Sequence, residues 1–199
     1  MCGSVSHIHP KGVIRKSPAE ELARVHILAK LADEGVASRR FTIAVSGLSS
    51  LVERGCEAEV RECAIWGLMN TLLGNPRCIN DGSIRVIVRA IGDSDDSVST
   101  TAESAAMVLA KDFVERAVPI LLEEISDSGE KEAANKMRST VSTIFQLSST
   151  KEKAKLEAII RRYGMDLEGG LKSVRMRRDI PMPPKKASPH KMLRRTGSD

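Results

Sequence analysis

Apolar residues recur along this chain at helical spacing, with no strict alternation of the kind a half-buried strand needs. The pattern predicts eight helices, over about residues 18–33, 38–54, 57–73, 83–92, 96–110, 112–126, 129–148 and 150–163. The run Ile84-Arg85-Val86-Ile87-Val88-Arg89-Ala90-Ile91 is β-branched enough for a strand. It has no strand to pair with, however, and Ile84, Ile87, Val88 and Ile91 make one helix face. Helix starts are written in the polar positions. Ser17-Pro18-Ala19-Glu20 reads as a capping box with proline at the first helical position. The same spacing recurs at Asp127 and Glu130, and at Ser149 and Glu152. Gly35, Gly55, Gly74 and Gly164 stand where helix C-termini favour glycine.

The helices also repeat. The apolar template i, i+4, i+7, i+8 fits Val60, Ala64, Gly67, Leu68, then Val98, Ala102, Ala105, Ala106, then Met137, Val141, Ile144, Phe145. Successive starts lie just under 40 residues apart, and each of these helices follows another amphipathic helix after a short polar turn. An earlier pair ending with a helix from about Phe41 extends the series. A helix pair recurring at that period predicts an all-α, right-handed α-solenoid of about four pairs. The stretch Val88-Arg89-Ala90-Ile91-Gly92-Asp93-Ser94-Asp95-Asp96-Ser97-Val98 with Ala102 and Ala105 resembles a HEAT/armadillo-like repeat. That resemblance extends over about residues 20–163 and implies a fold, with almost nothing about activity.

Asp93, Asp95 and Asp96 invite a metal-loop reading. A calcium loop begun at Asp93 needs glycine at its sixth position and glutamate at its twelfth, where this chain has Val98 and Ser104. Asp95 as a helix cap is the expectation. Met1-Cys2-Gly3 resembles the start of class II glutamine amidotransferases, but the match ends at Ser4 and no β-rich pattern follows. Cys2, His7 and His9 are zinc-ligand types without an evident fourth ligand. No phosphate loop, nucleophile elbow or paired histidine motif is present. The expectation is therefore a protein without catalytic residues, metal or cofactor.

Composition sharpens this picture at two points. Aromatic residues are 3% of the chain, so the core must be filled by aliphatic side chains and alanine. Trp66, the sole tryptophan, lies off the main apolar arc of its helix; it is either packed in a helix buried all round or a protruding partner anchor. Charge is the second point. The net charge is +5, yet residues from Lys172 onward hold nine basic side chains against Asp179 and Asp199. Those nine are Lys172, Arg175, Arg177, Arg178, Lys185, Lys186, Lys191, Arg194 and Arg195.

Prolines 181, 183, 184 and 189 forbid a continuous helix there. The expected organisation is a flexible arm over 1–16, a helical repeat domain over 17–164, and a basic disordered tail over 165–199. The tail is a candidate for contacting nucleic acid or another acidic surface, and Ser188 and Thr196 sit in kinase-like contexts. No run approaches a membrane span, and the cysteines show no C-x-x-C spacing, so a cytoplasmic protein (nuclear in a eukaryote) is expected. The functional expectation is a scaffold or adaptor whose repeat body docks a protein partner. The alternatives are a sequence-independent nucleic-acid binder acting through the tail, and an enzyme subunit with an unrecognised site.

Overall fold

The computed structural model describes residues 17–33 and 39–165. These residues form eight α-helices and no strand: α1 (Pro18–Asp33), α2 (Arg39–Arg54), α3 (Ala58–Gly74), α4 (Asp81–Ala90), α5 (Asp96–Asp112), α6 (Val114–Asp127), α7 (Lys131–Leu147) and α8 (Thr150–Arg162). A single 3-10 turn, Pro76–Cys78, which the periodicity does not reveal, lies between α3 and α4. The β-branched run is helix α4, and Ile84, Ile87, Val88 and Ile91 are all fully buried.

Capping explains most boundaries. At α1 the Ser17 amide donates to Glu20 Oε2 at 2.8 Å and the Glu20 amide to Ser17 Oγ at 3.3 Å. Ser149 and Glu152 make the same reciprocal pair at α8. The expected box at Asp127 and Glu130 does not form. Asp127 is instead the last residue of α6, Glu130 is the N-cap of α7 without a side-chain cap bond, and Ser128 Oγ takes the Glu130 amide at 3.3 Å. The serine hydroxyl is one residue closer to the reversal and satisfies the turn first.

Gly164, at φ +66°, closes α8. Its amide donates to Arg161 O and that of Met165 to Ile160 O, a Schellman arrangement that buries Met165 beside Ile160. Among L-residues a side chain at that φ is strained, so glycine is the residue that permits the turn.

Asp95 is the N-cap of α5 and accepts from the amides of Ser97 and Val98. Those hydrogen bonds, the one to the Ser97 hydroxyl foremost, hold its carboxyl below the usual range. Asp93 accepts the Asp95 amide and receives both Nε and Nη2 of Arg61, at 2.9 and 3.0 Å. Asp96 meets Lys136 at 3.5 Å. Each aspartate therefore has a partner in the protein. Asp95→Ala is expected to cost about 1 kcal/mol of unfolding free energy in a denaturant titration, against less than about 0.5 kcal/mol for the uncapping neighbour Ser94→Ala.

The helices pack in two rows. α1, α3, α5 and α7 contact one another in succession, as do α2, α4, α6 and α8, and cross-contacts such as α1 with α2, α2 with α3 and α4 with α5 join the rows. The template positions face the seam. Val60, Ala64, Leu68, Val98, Ala102, Ala105, Ala106, Met137, Val141 and Ile144 are all buried. Small residues set the spacing. A Cβ on Gly67 would come within 3.2 Å of Leu48 Cδ2, and one on Gly92 within 2.8 Å of Ala133 Cβ.

Candidate interaction face

The polar links between helices follow the same period as the apolar template. Arg61 reaches Asp93, Arg85 reaches Glu123 and Glu124, Arg89 reaches Glu124, Lys136 reaches Asp96, and Tyr163 reaches Glu123. Each spans between 32 and 40 residues, the separation of one helix pair from the next. These groups are therefore occupied in tying successive pairs together. Glu124 is the most enclosed of them. Burial alone would raise its pKa, but hydrogen bonds from Arg89 and Arg85 outweigh that and hold the carboxyl below the usual range. Burial, followed by the nearby Glu123 carboxylate, pushes the Tyr163 phenol up to about 12.

Exposed side chains gather on one side of α3 and α5. On α3 the positions Glu59, Cys63, Trp66, Asn70 and Leu73 alternate by four and three residues and so form one stripe, in which Cys63 and Leu73 are half-buried against the core. Glu59, Trp66 and Asn70 are exposed, and Trp66 is 42% exposed. The reason is its register: Ile65 and Leu68 on either side of it are fully buried, which turns residue 66 outward. Glu62, one turn before Trp66, accepts the hydroxyl of Ser97 at the start of α5, so Trp66 stands on the flank of α3 that faces α5. There α5 presents Thr100, Ser104 and Val108, the last also exposed. Glu59 and Glu62 border this face at the start of α3, while Trp66, Asn70, Thr100, Ser104 and Val108 are uncharged. The face combines one large aromatic with a neighbouring carboxamide and several hydroxyls, a composition suited to a protein surface.

On the other row, α2 and the start of α4 enclose an open groove of about 580 Å³. Phe41, Val45 and Val86 supply its apolar floor, and Thr42, Ser46 and Ser83 its hydroxyls. It holds no charged side chain.

The remaining candidates separate by location. Cys2, His7 and His9 lie outside the described residues, as do Lys172, Arg175, Arg177, Arg178, Lys185, Lys186, Lys191, Arg194, Arg195, Ser188 and Thr196. His26 is exposed on α1. Among the described residues Cys56, Cys63 and Cys78 form no disulfide. Glu21 raises the pKa of Cys56, and burial followed by Glu59 and Glu62 raises that of Cys63, the reverse of what an activated thiolate requires. Among the described residues no group of His, Cys, Asp and Glu is arranged to hold a metal ion, and no helix is long and apolar enough to cross a membrane. Asn70 and Val108 were not singled out by the sequence pattern. The signal for Asn70 is its place one turn after the only tryptophan, and for Val108 only its position opposite the template alanines. No protein-family model matches the chain, and no curated protein matches its sequence.

Proposed function

We propose that the chain is a short right-handed solenoid of the HEAT/armadillo kind that acts as a non-catalytic interaction scaffold. In this reading the outer face of α3 and α5 docks a protein partner around Trp66, and the basic tail from Lys172 contacts nucleic acid or another acidic surface. The solenoid reading rests on helices packing one and two places along the chain, and on polar links that recur once per pair. The docking reading rests on one observation above all: the only tryptophan of the chain is turned to solvent, with Asn70 one turn further on the same stripe. Indole rings supply much binding area at small entropic cost, and a carboxamide offers both a donor and an acceptor to a peptide main chain.

The test is affinity purification with full-length protein, its Trp66→Ala variant and a variant ending at Leu171, each with and without nuclease. Trp66→Ala is expected to weaken a discrete protein partner by about 30-fold or more, a hot-spot loss on the order of 2 kcal/mol, while leaving the unfolding midpoint within about 2 °C. Truncation is expected to remove a nuclease-sensitive or salt-sensitive fraction instead. Retention of every partner by both variants refutes the scaffold reading in this form.

A further inference from the structure

Helix α1 begins its row and presents an ordered stripe to solvent. Glu20, Ala23, Ile27 and Lys30 are all exposed, Ile27 at 60%. Spaced by three, four and three residues, they share one side of the helix. The buried Val25, Leu28 and Ala32 take the opposite side, where Val25 turns toward Gly67 of α3 and Leu28 toward Gly47 of α2. Arg24 and His26 flank the stripe, one on each side. Ile43 of α2, 51% exposed, lies one turn before Gly47 and so on the flank of α2 next to α1, where it extends the apolar area.

We propose that this stripe is the contact of a symmetric dimer, with α1 of a second copy laid antiparallel upon it. The stripe is complementary to its own reverse. Glu20 and Lys30 each stand five residues from Val25, and Ala23 and Ile27 each stand two residues from it. A two-fold axis at Val25 therefore sets Glu20 against Lys30 of the second copy, twice, and Ile27 against Ala23, twice. Acid meets base at both ends, and the large side chain meets the small one at the centre. The charges are free to do so. Lys30 has no ion pair with a described residue, and Glu20 uses only Oε2 for the Ser17 amide. Head-to-tail contact lacks this match: α8, which ends the other row, exposes Lys151, Lys155, Arg161 and Arg162, and these would set cations against Lys30. One helix face per copy is a small interface, so the dimer belongs to the weak class.

The test is sedimentation equilibrium of the full chain at concentrations up to about 1 mM, the range in which weak association is read. The wild type is expected to form dimers and nothing larger. Ile27→Asp, at an exposed position that the fold tolerates, is expected to weaken the dimer by about tenfold or more. Lys30→Glu is expected to do the same, because symmetry sets carboxylate against Glu20 at both ends. Glu20→Lys alone is equally unfavourable. An equimolar mixture of the Glu20→Lys and Lys30→Glu chains is expected to recover wild-type association, since each end then pairs acid with base again. That recovery also shows that both variants are folded. A monomer throughout the range, a dimer indifferent to Ile27→Asp, open-ended oligomers, or a mixture that associates no better than its components overturns the proposal.

Discussion

Replacing Glu124 with alanine is expected to lower the unfolding free energy by about 3 kcal/mol, the largest effect of any charged residue among those described. Glu124 is a single buried carboxylate that serves two arginines. Arg85 donates to its Oε1 and Arg89 to its Oε2, the latter at 2.9 Å, and the Glu124 side chain retains only 9% of its exposure. Removing it leaves Arg85 with Glu123 and takes from Arg89 its pair to Glu124. Arg85 keeps its 2.6 Å pair to Glu123, and Arg89 is already 61% exposed, so relaxation into water limits the loss to the lower end of what a broken buried pair costs. Glu123→Ala is the matched control. That residue is 36% exposed and is expected to contribute less than about 1 kcal/mol, as exposed ion pairs generally do. Chemical denaturation of the two variants separates the cases, and equal losses would show that burial of Glu124 does not govern the pair.

The same carboxylate sets a pH dependence with a definite sign. Its pKa is depressed in the folded protein, so its stabilising contribution is present above its unfolded value, about 4.3, and is lost as pH falls through the folded value. Wild-type protein should therefore lose stability as pH falls below about 4.3 more steeply than Glu124→Gln does.

The legibility of this protein in its sequence divides by range. The helices were legible because their signals are local: Ser17 with Glu20, Ser149 with Glu152, and the faces of α4 and α5 are decided within one or two turns. The failure at Asp127 came from a competitor equally local, since Ser128 sits nearer the turn and the pattern alone does not rank the two. The 3-10 turn at Pro76–Cys78 lacks any apolar period to announce it. What the sequence withheld is pairing at long range. Nothing in the string says that Arg61 belongs to Asp93 or Arg85 to Glu124, pairs separated by 32 and 39 residues. The candidate face stood between these cases. Trp66 was conspicuous by type, but whether it faced in or out depended on how far burial extends round α3, which the neighbours of that helix decide.

Ala105→Leu is expected to destabilise the protein by about 3 kcal/mol, because α5 is the helix on which both rows depend. It contacts α3 on one side, α7 on the other and α4 and α6 beneath. Ala102, Ala105 and Ala106 on its inner face have essentially no exposure, and the neighbouring Val98 and Leu109 are fully buried as well. A leucine at 105 adds three carbons on a face that has essentially no exposure, so α5 must move away from the helices it packs against. An exposed position on the same helix measures the intrinsic effect of leucine: Thr100→Leu is expected to be neutral within about 0.5 kcal/mol, since leucine is the better helix former. The contrast tests the repeat reading at its root. Small residues at template positions are expected because adjacent helices approach closely there, so a tolerated leucine at 105 would mean that the rows are looser than the buried alanines require. A large loss at 105 with none at 100 would assign the alanine spacing of the template to helix approach and not to helix propensity.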